Sequence, residues 1–213
     1  MPTLTSLAAS VRQLLNDPLE KRFSADLLTC AIRQALQTFD LHLPQTLVAT
    51  VTVAAAGRSQ TLSGITGCLF LVSLITPAAA SRSRLEPETH FSYRVTAGVP
   101  TLYFHGEFIP QAGDVLEVHY AAVNTIEGLD NAAATTLPAI SEPAFTAGAA
   151  ACACSLRAAS LTESHGVRPE DAARLLETSL TWQQRFEHLL TGLKILQEFG
   201  YPPGFALDAW DRG

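Results

Sequence analysis

The strongest constraint on the fold is a change of hydrophobic period along the chain. Up to residue 43 the apolar residues recur at helical spacing, from Pro44 to about Val123 they alternate, and from Ser141 the helical spacing returns. One pattern does not pack as the other, because a period-two sequence wound on a helix scatters its apolar side chains around the axis. The expected class is therefore α+β: a four-helix bundle drawn from both ends of the chain, with an antiparallel β-sheet or sandwich domain inserted between helices 2 and 3. Residues 1–43 with 141–200 form the bundle in this reading, 44–123 the β domain, 124–140 an extended loop and 201–213 a C-terminal docking tail.

In the first helix Leu7, Val11, Leu14 and Leu15 share a face after a Thr5 cap, and Asp17-Pro18 ends the run. Ser24 caps a second helix with the stripe Leu27, Leu28, Ala31, Ile32, Ala35 and Phe39. Within the β region Leu47 to Val53 and Phe91 to Val95 alternate, and Val115 to Tyr120 puts Leu116, Val118 and Tyr120 opposite Glu117 and His119. The continuous run Cys68 to Ile75 reads as a central strand buried on both faces. With turns at Ala56-Gly57-Arg58, Ala97-Gly98 and Ala112-Gly113-Asp114, five or six strands are expected.

Helix resumes over Ser141 to Ser164, where Ala, Gly, Ser and Cys allow a neighbouring helix to approach closely. Pro169 opens a last helix reaching Phe199, with Leu176, Leu180, Phe186, Leu190, Leu193 and Leu196 near one face, and Gly200 ends it. Two segments fit neither pattern. The 124–140 stretch is apolar with few charges, and the tail carries Tyr201, Phe205, Leu207 and Trp210. The loop is read as a segment ordered by a partner, with Ile126, Leu129 and Leu137 its contact residues, and the tail either packs back down the side of its own last helix or docks on another chain.

Charge and motif content exclude more than they select. The net charge is −6, and the fourteen basic residues include only Lys21 and Lys194 as lysines, which does not make a nucleic-acid clamp. The longest purely apolar run is far short of a bilayer span, and no signal segment is expected, so the reading is cytoplasmic with no membrane partner. Cys30, Cys68, Cys152 and Cys154 lack metal spacing and are expected as reduced, buried thiols. The six histidines show no paired-ligand spacing, although His105 and His119 could meet across strands. Without a P-loop, a GxGxxG or a GxSxG, no catalytic site, metal or cofactor is expected.

The order of segments resembles a known family. Leu7 to Pro18, of the type Leu-x-x-x-Val-Arg-x-Leu-Leu-Asn-Asp-Pro, followed by Arg22-Phe23-Ser24-Ala25-Asp26-Leu27-Leu28, is similar to the N-terminus of tailed-bacteriophage head-to-tail connector adaptors. The block Ile109 to Tyr120, then Thr125-Ile126-Glu127-Gly128-Leu129-Asp130 and Thr135-Thr136-Leu137-Pro138, resembles neck proteins of this group that carry a β domain. The resemblance implies a structural ring, a dodecamer, seated between portal and tail or nozzle proteins in a virion neck and assembled in the host bacterial cytoplasm. DNA would pass through its channel without specific binding. The alternative is a ligand- or carbohydrate-binding β domain on a helical oligomerisation stalk, with Tyr93, Tyr103, Phe104 and Tyr120 as a stacking face.

Overall fold

The computed structural model describes residues 2–65, 67–78, 81–85, 87–162 and 168–200. Four helices and seven strands occur among them: α1 (Leu4–Leu14), α2 (Ala25–His42), β1 (Gln45–Thr52), β2 (Ser59–Thr61), β3 (Cys68–Ala78), β4 (Ser81–Leu85), β5 (Phe91–Thr96), β6 (Val99–Phe104), β7 (Val115–Ala122), α3 (Glu142–Thr162) and α4 (Pro169–Gly200). The α+β class is as expected, with antiparallel sheets between the second and third helices. The chain forms two compact units, Pro44–Val123 on one side and Met1–Leu43 with Asn124–Gly213 on the other.

The helical unit is organised around α3. Its sequence is so rich in small residues that it has no single apolar stripe, and side chains all round it are buried, from Ala144 and Phe145 to Cys154 and Ala158. A helix of this kind belongs in a core, because small side chains let neighbouring backbones come close. It packs against α4, α2 and α1. Gly148 marks the closest approach: a Cβ there would lie 3.1 Å from the Phe186 ring of α4. Nearby, Ser179 of α4 donates a hydrogen bond to the Ala151 carbonyl at 2.8 Å, and Phe39 of α2 meets Phe145 edge-on at 6.1 Å. The stretch Ala139–Thr162 is long and apolar enough to cross a membrane by length and composition, which a search for unbroken apolar runs overlooks. Its apolar surface is largely taken up by the other helices.

Local chemistry sets the helix ends. Thr3, rather than Thr5, caps α1 in a reciprocal box with Ser6, and Ser24 caps α2 through the Leu27 N–H. Between the two helices the buried Asp17 carboxylate accepts backbone N–H bonds from Lys21 at 3.0 Å and from Arg22 and Phe23 at 2.9 Å each. Burial pushes its pKa up, but the three donors together hold it below the ordinary carboxylate value. On α4 the buried positions are Ala172, Ser179, Phe186 and Leu190. Leu176 and Leu180 of the expected stripe are instead 48% and 59% exposed, because at helical spacing they fall beside the 172–179–186–190 line. The side chain of Leu196 lies outside the described residues.

In the β unit the sheets have strand orders β1-β7-β3-β4 and β2-β6-β5, all antiparallel. Seven strands replace the expected five or six, since short β2 and β4 carry too little pattern to be read. Their inner faces share one core, with Leu71, Leu74, Leu116 and Val118 from the first sheet and Phe91, Leu102 and Phe104 from the second. Strand β3 is central but covered on one face only: Leu69, Phe70 and Val72 are exposed, and register shifts at Cys68/Phe70 and Leu71/Ser73 turn these side chains outward. The β5–β6 hairpin turns on Ala97 and Gly98, both at positive φ. A Cβ at Gly98 would sit 2.9 Å from the Gly67 nitrogen.

Two predictions follow from this packing. Gly148→Val drives two methyl groups into the Phe186 ring and is expected to cost about 1–3 kcal/mol in urea unfolding. Asp17 has a lowered folded pKa, so its contribution is present above about pH 4 and lost as pH falls through the folded value. Asp17→Asn is therefore expected to be less stable than the wild type at neutral pH, with the gap in melting temperature closing as pH falls below about 4.

Candidate assembly surfaces

The 124–140 segment, expected to await a partner, is instead folded onto its own chain. Ile126, Leu129 and Leu137 are 0%, 3% and 1% exposed and belong to the core of the helical unit. This corrects their reading as partner-contact residues: side chains with almost no accessible surface have nothing to offer a second molecule. The segment is held by its own polar groups. Thr136 Oγ1 accepts the Thr125 N–H at 2.8 Å, Thr135 Oγ1 accepts the Glu127 N–H at 2.9 Å and donates to the Pro2 carbonyl, and the Glu127 carbonyl accepts the Leu4 N–H at 3.0 Å. Gly128, Asp130 and Asn131 supply the positive-φ turns. Arg33 of α2 clasps the Asp130 carboxylate through two nitrogens, with Nε at 2.9 Å, and this exposed pair raises the arginine pKa and lowers that of the aspartate.

Where the segment begins, Asn124 donates both its backbone N–H (2.9 Å) and its side-chain amide (2.7 Å) to Oδ1 of Asp40. The same amide reaches the Leu43 carbonyl at 3.1 Å. Burial raises the Asp40 pKa, and the two Asn124 donors oppose the rise. This clasp ties the residue entering the β unit to the residue leaving it, 81 positions later. Sequence reading passed over it, since neither residue stands in a motif; a polar pair at the two junctions of an insertion was the only signal.

Residues considered for chemistry are dispersed. Cys68 and Cys154 are buried, but Cys152 is only half-buried and Cys30, on the outer side of α2, is exposed, so the expectation of four buried thiols fails at two of them. Burial pushes the Cys154 thiol up to about 11, which keeps it protonated and unreactive. His105, paired with Ser92 at 3.0 Å, follows the three-stranded sheet, whereas His119, paired with Glu117 at 2.9 Å, lies in the four-stranded one. Among the described residues no cluster of three His, Cys, Asp or Glu could hold a metal. Phe104 and Tyr120 are core residues and only Tyr103 of the aromatic set is exposed, so no stacking face for a ligand forms. Tyr201, Phe205, Leu207 and Trp210 lie outside the described residues.

Among the described residues, two of the surfaces open to contact stand out. In the helical unit, Arg22, Arg157 and Arg174 border a groove of about 400 Å³ floored by Phe23, Leu161 and Leu175. In the β unit, β1 is an edge strand of eight residues without charge or proline, and its Val48 side chain is exposed. The strand itself was legible; its place at the edge was not, because that depends on pairing with β7, some seventy residues away.

A family model described as SU10 adaptor protein matches residues 2–202 of the chain. Among solved structures, the chain is similar to one described as the neck of an empty GTA particle computed with C6 symmetry, at 16% identity over 81% of this chain and 87% of the other, with a TM-score of 0.30. It is also similar to one described as the neck of a native GTA particle computed with C12 symmetry, at 17% identity, 83% and 89% coverage, and a TM-score of 0.32. A search of curated proteins found no significant match.

If the 124–140 segment is core, truncating it should cost stability and not merely binding. Leu137→Ala is expected to destabilise the protein by about 2–5 kcal/mol in denaturant unfolding. A change near zero would return Leu137 to the surface.

Proposed function

The chain belongs to the SU10 adaptor protein family, and on that premise we propose that it is the adaptor ring of a phage-like neck, joining a portal to tail or nozzle proteins. The observation that carries this reading is the extent of the family match, which runs over residues 2–202 and so takes in both the helical and the β unit. The role is structural rather than enzymatic. The protein acts as a dodecameric ring in the virion neck, assembled in the host bacterial cytoplasm, with DNA passing through its centre.

Electrostatics supports passage over grip. A chain of net charge −6 with two lysines offers phosphate few counter-charges, and an acidic wall repels the DNA backbone. The tail residues Tyr201, Phe205, Leu207 and Trp210 dock on the portal: an aromatic, proline-containing segment after a helix-ending glycine suits insertion into a neighbouring protein. With Phe104 and Tyr120 in the core, nothing favours the ligand-binding alternative.

Electron microscopy of the full chain mixed with the portal protein of the same particle is expected to show a coaxial ring on the portal. The chain cut after Gly200 is expected to keep its circular dichroism spectrum and lose portal binding. Failure of the full chain to bind portal at any salt concentration overturns the adaptor reading. Undiminished binding by the shortened chain removes the tail from the interface, and its unfolding makes the tail part of the core.

A further inference from the structure

Natural sheets protect their edges with charges, prolines, bulges or very short strands, because an open row of N–H and C=O groups recruits any strand that meets it. β1 uses none of these. Its eight residues, Gln-Thr-Leu-Val-Ala-Thr-Val-Thr, are uncharged, it pairs with β7 without a register shift, and no other strand among the described residues pairs with it.

The direction of its open groups follows from one pair of hydrogen bonds. Val53, just beyond β1, donates its N–H to the Asp114 carbonyl at 2.8 Å and accepts the Gly113 N–H at 2.9 Å, so its peptide groups face the β7 side. Successive residues of a strand point their N–H and C=O to alternate edges. Val51, Ala49 and Leu47 therefore bond β7, while Thr46, Val48, Thr50 and Thr52 turn both groups to the free edge. The same four residues have exposed side chains.

The opposite edge of this sheet is β4, five residues carrying Arg82 and Arg84. We infer that β1 of one copy pairs with β4 of the next, so that the four-stranded sheet continues from subunit to subunit around the ring. Two features support this partner. Strand direction alternates across the four strands, so the β4 edge of a following copy arrives antiparallel to β1. A contact between two different edges is heterologous, the kind of contact from which a ring is built when its rotation closes, whereas β1 against β1 is two-fold and stops at a dimer. The inference rests on the proposed ring and adds the bond that closes it.

Proline at an edge-facing position removes an outward N–H and leaves the β1–β7 ladder intact. Val48→Pro in the full chain, alone and mixed with the portal protein of the same particle, is compared with the wild type by native mass spectrometry, with melting temperature as the folding control. Assembly of the variant is expected to need about tenfold more protein or more. In the wild type, amide exchange at Thr46, Val48, Thr50 and Thr52 is expected to slow on assembly, while Leu47, Ala49 and Val51 are slow already in the monomer. Should Val48→Pro fail to fold, Val48→Lys, at a side chain 57% exposed, carries the same expectation. A wild type that forms rings while a folded variant assembles equally well overturns the edge pairing and leaves the ring standing. A wild type that stops at dimers overturns the β1–β4 partnership, and one that never assembles overturns ring and pairing together.

Discussion

The helical unit depends on α3 being small. An Ala- and Gly-rich helix gains little by burying each side chain, since an alanine methyl removes far less apolar surface from water than a leucine does. What it allows is distance: with Gly148 under the Phe186 ring and Ala151 bonded to Ser179, α4 lies close enough for its own Phe186 and Leu190 to be buried. The larger side chains of α2, including Leu28, Ile32 and Phe39, complete the core from another side. The stabilising area is thus contributed mostly by the neighbours, and α3 is the surface that lets them reach one another.

Long-range polar ties then determine where the rest of the unit goes. Residues 124–138 have no regular structure for most of their length, yet Thr125 and Thr136 satisfy each other's backbone, Thr135 accepts the Glu127 N–H and bonds the Pro2 carbonyl, and Asp130 is held by Arg33. Buried backbone in a loop needs such partners, and three threonines within twelve residues provide them. Asp40 and Asn124 close the circuit at the two junctions of the inserted unit. A carboxylate with a raised pKa is an expensive way to do so, and two donors from one asparagine reduce the cost.

Much of this was legible from residues near one another in the chain. The Ser24 cap and α2 stripe, the Leu116/Val118/Tyr120 face and the Ala97-Gly98 turn all depend on neighbours within a few positions, and the structure agrees with each. The misreadings share one cause. Leu69, Phe70 and Val72 are exposed because bulges rotate them, Leu176 and Leu180 because α4 turns a different face to α3, and Ile126, Leu129 and Leu137 are buried because they join the core that the helices of their unit form. Each outcome is set by a partner distant in sequence. The candidate surfaces were the least legible part, since a composition pattern marks a residue as apolar without saying whether its own chain already covers it.

By itself the sequence determined the period of each segment, and with it which stretches become helix or strand and where one kind gives way to the other. Those properties follow from side-chain spacing along a single backbone. Only the tertiary structure decided that the apolar loop closes on its own core and that β1 ends the sheet with its edge open. Both depend on which surfaces meet after the chain has folded back on itself, and no local pattern encodes the identity of a neighbour seventy residues away.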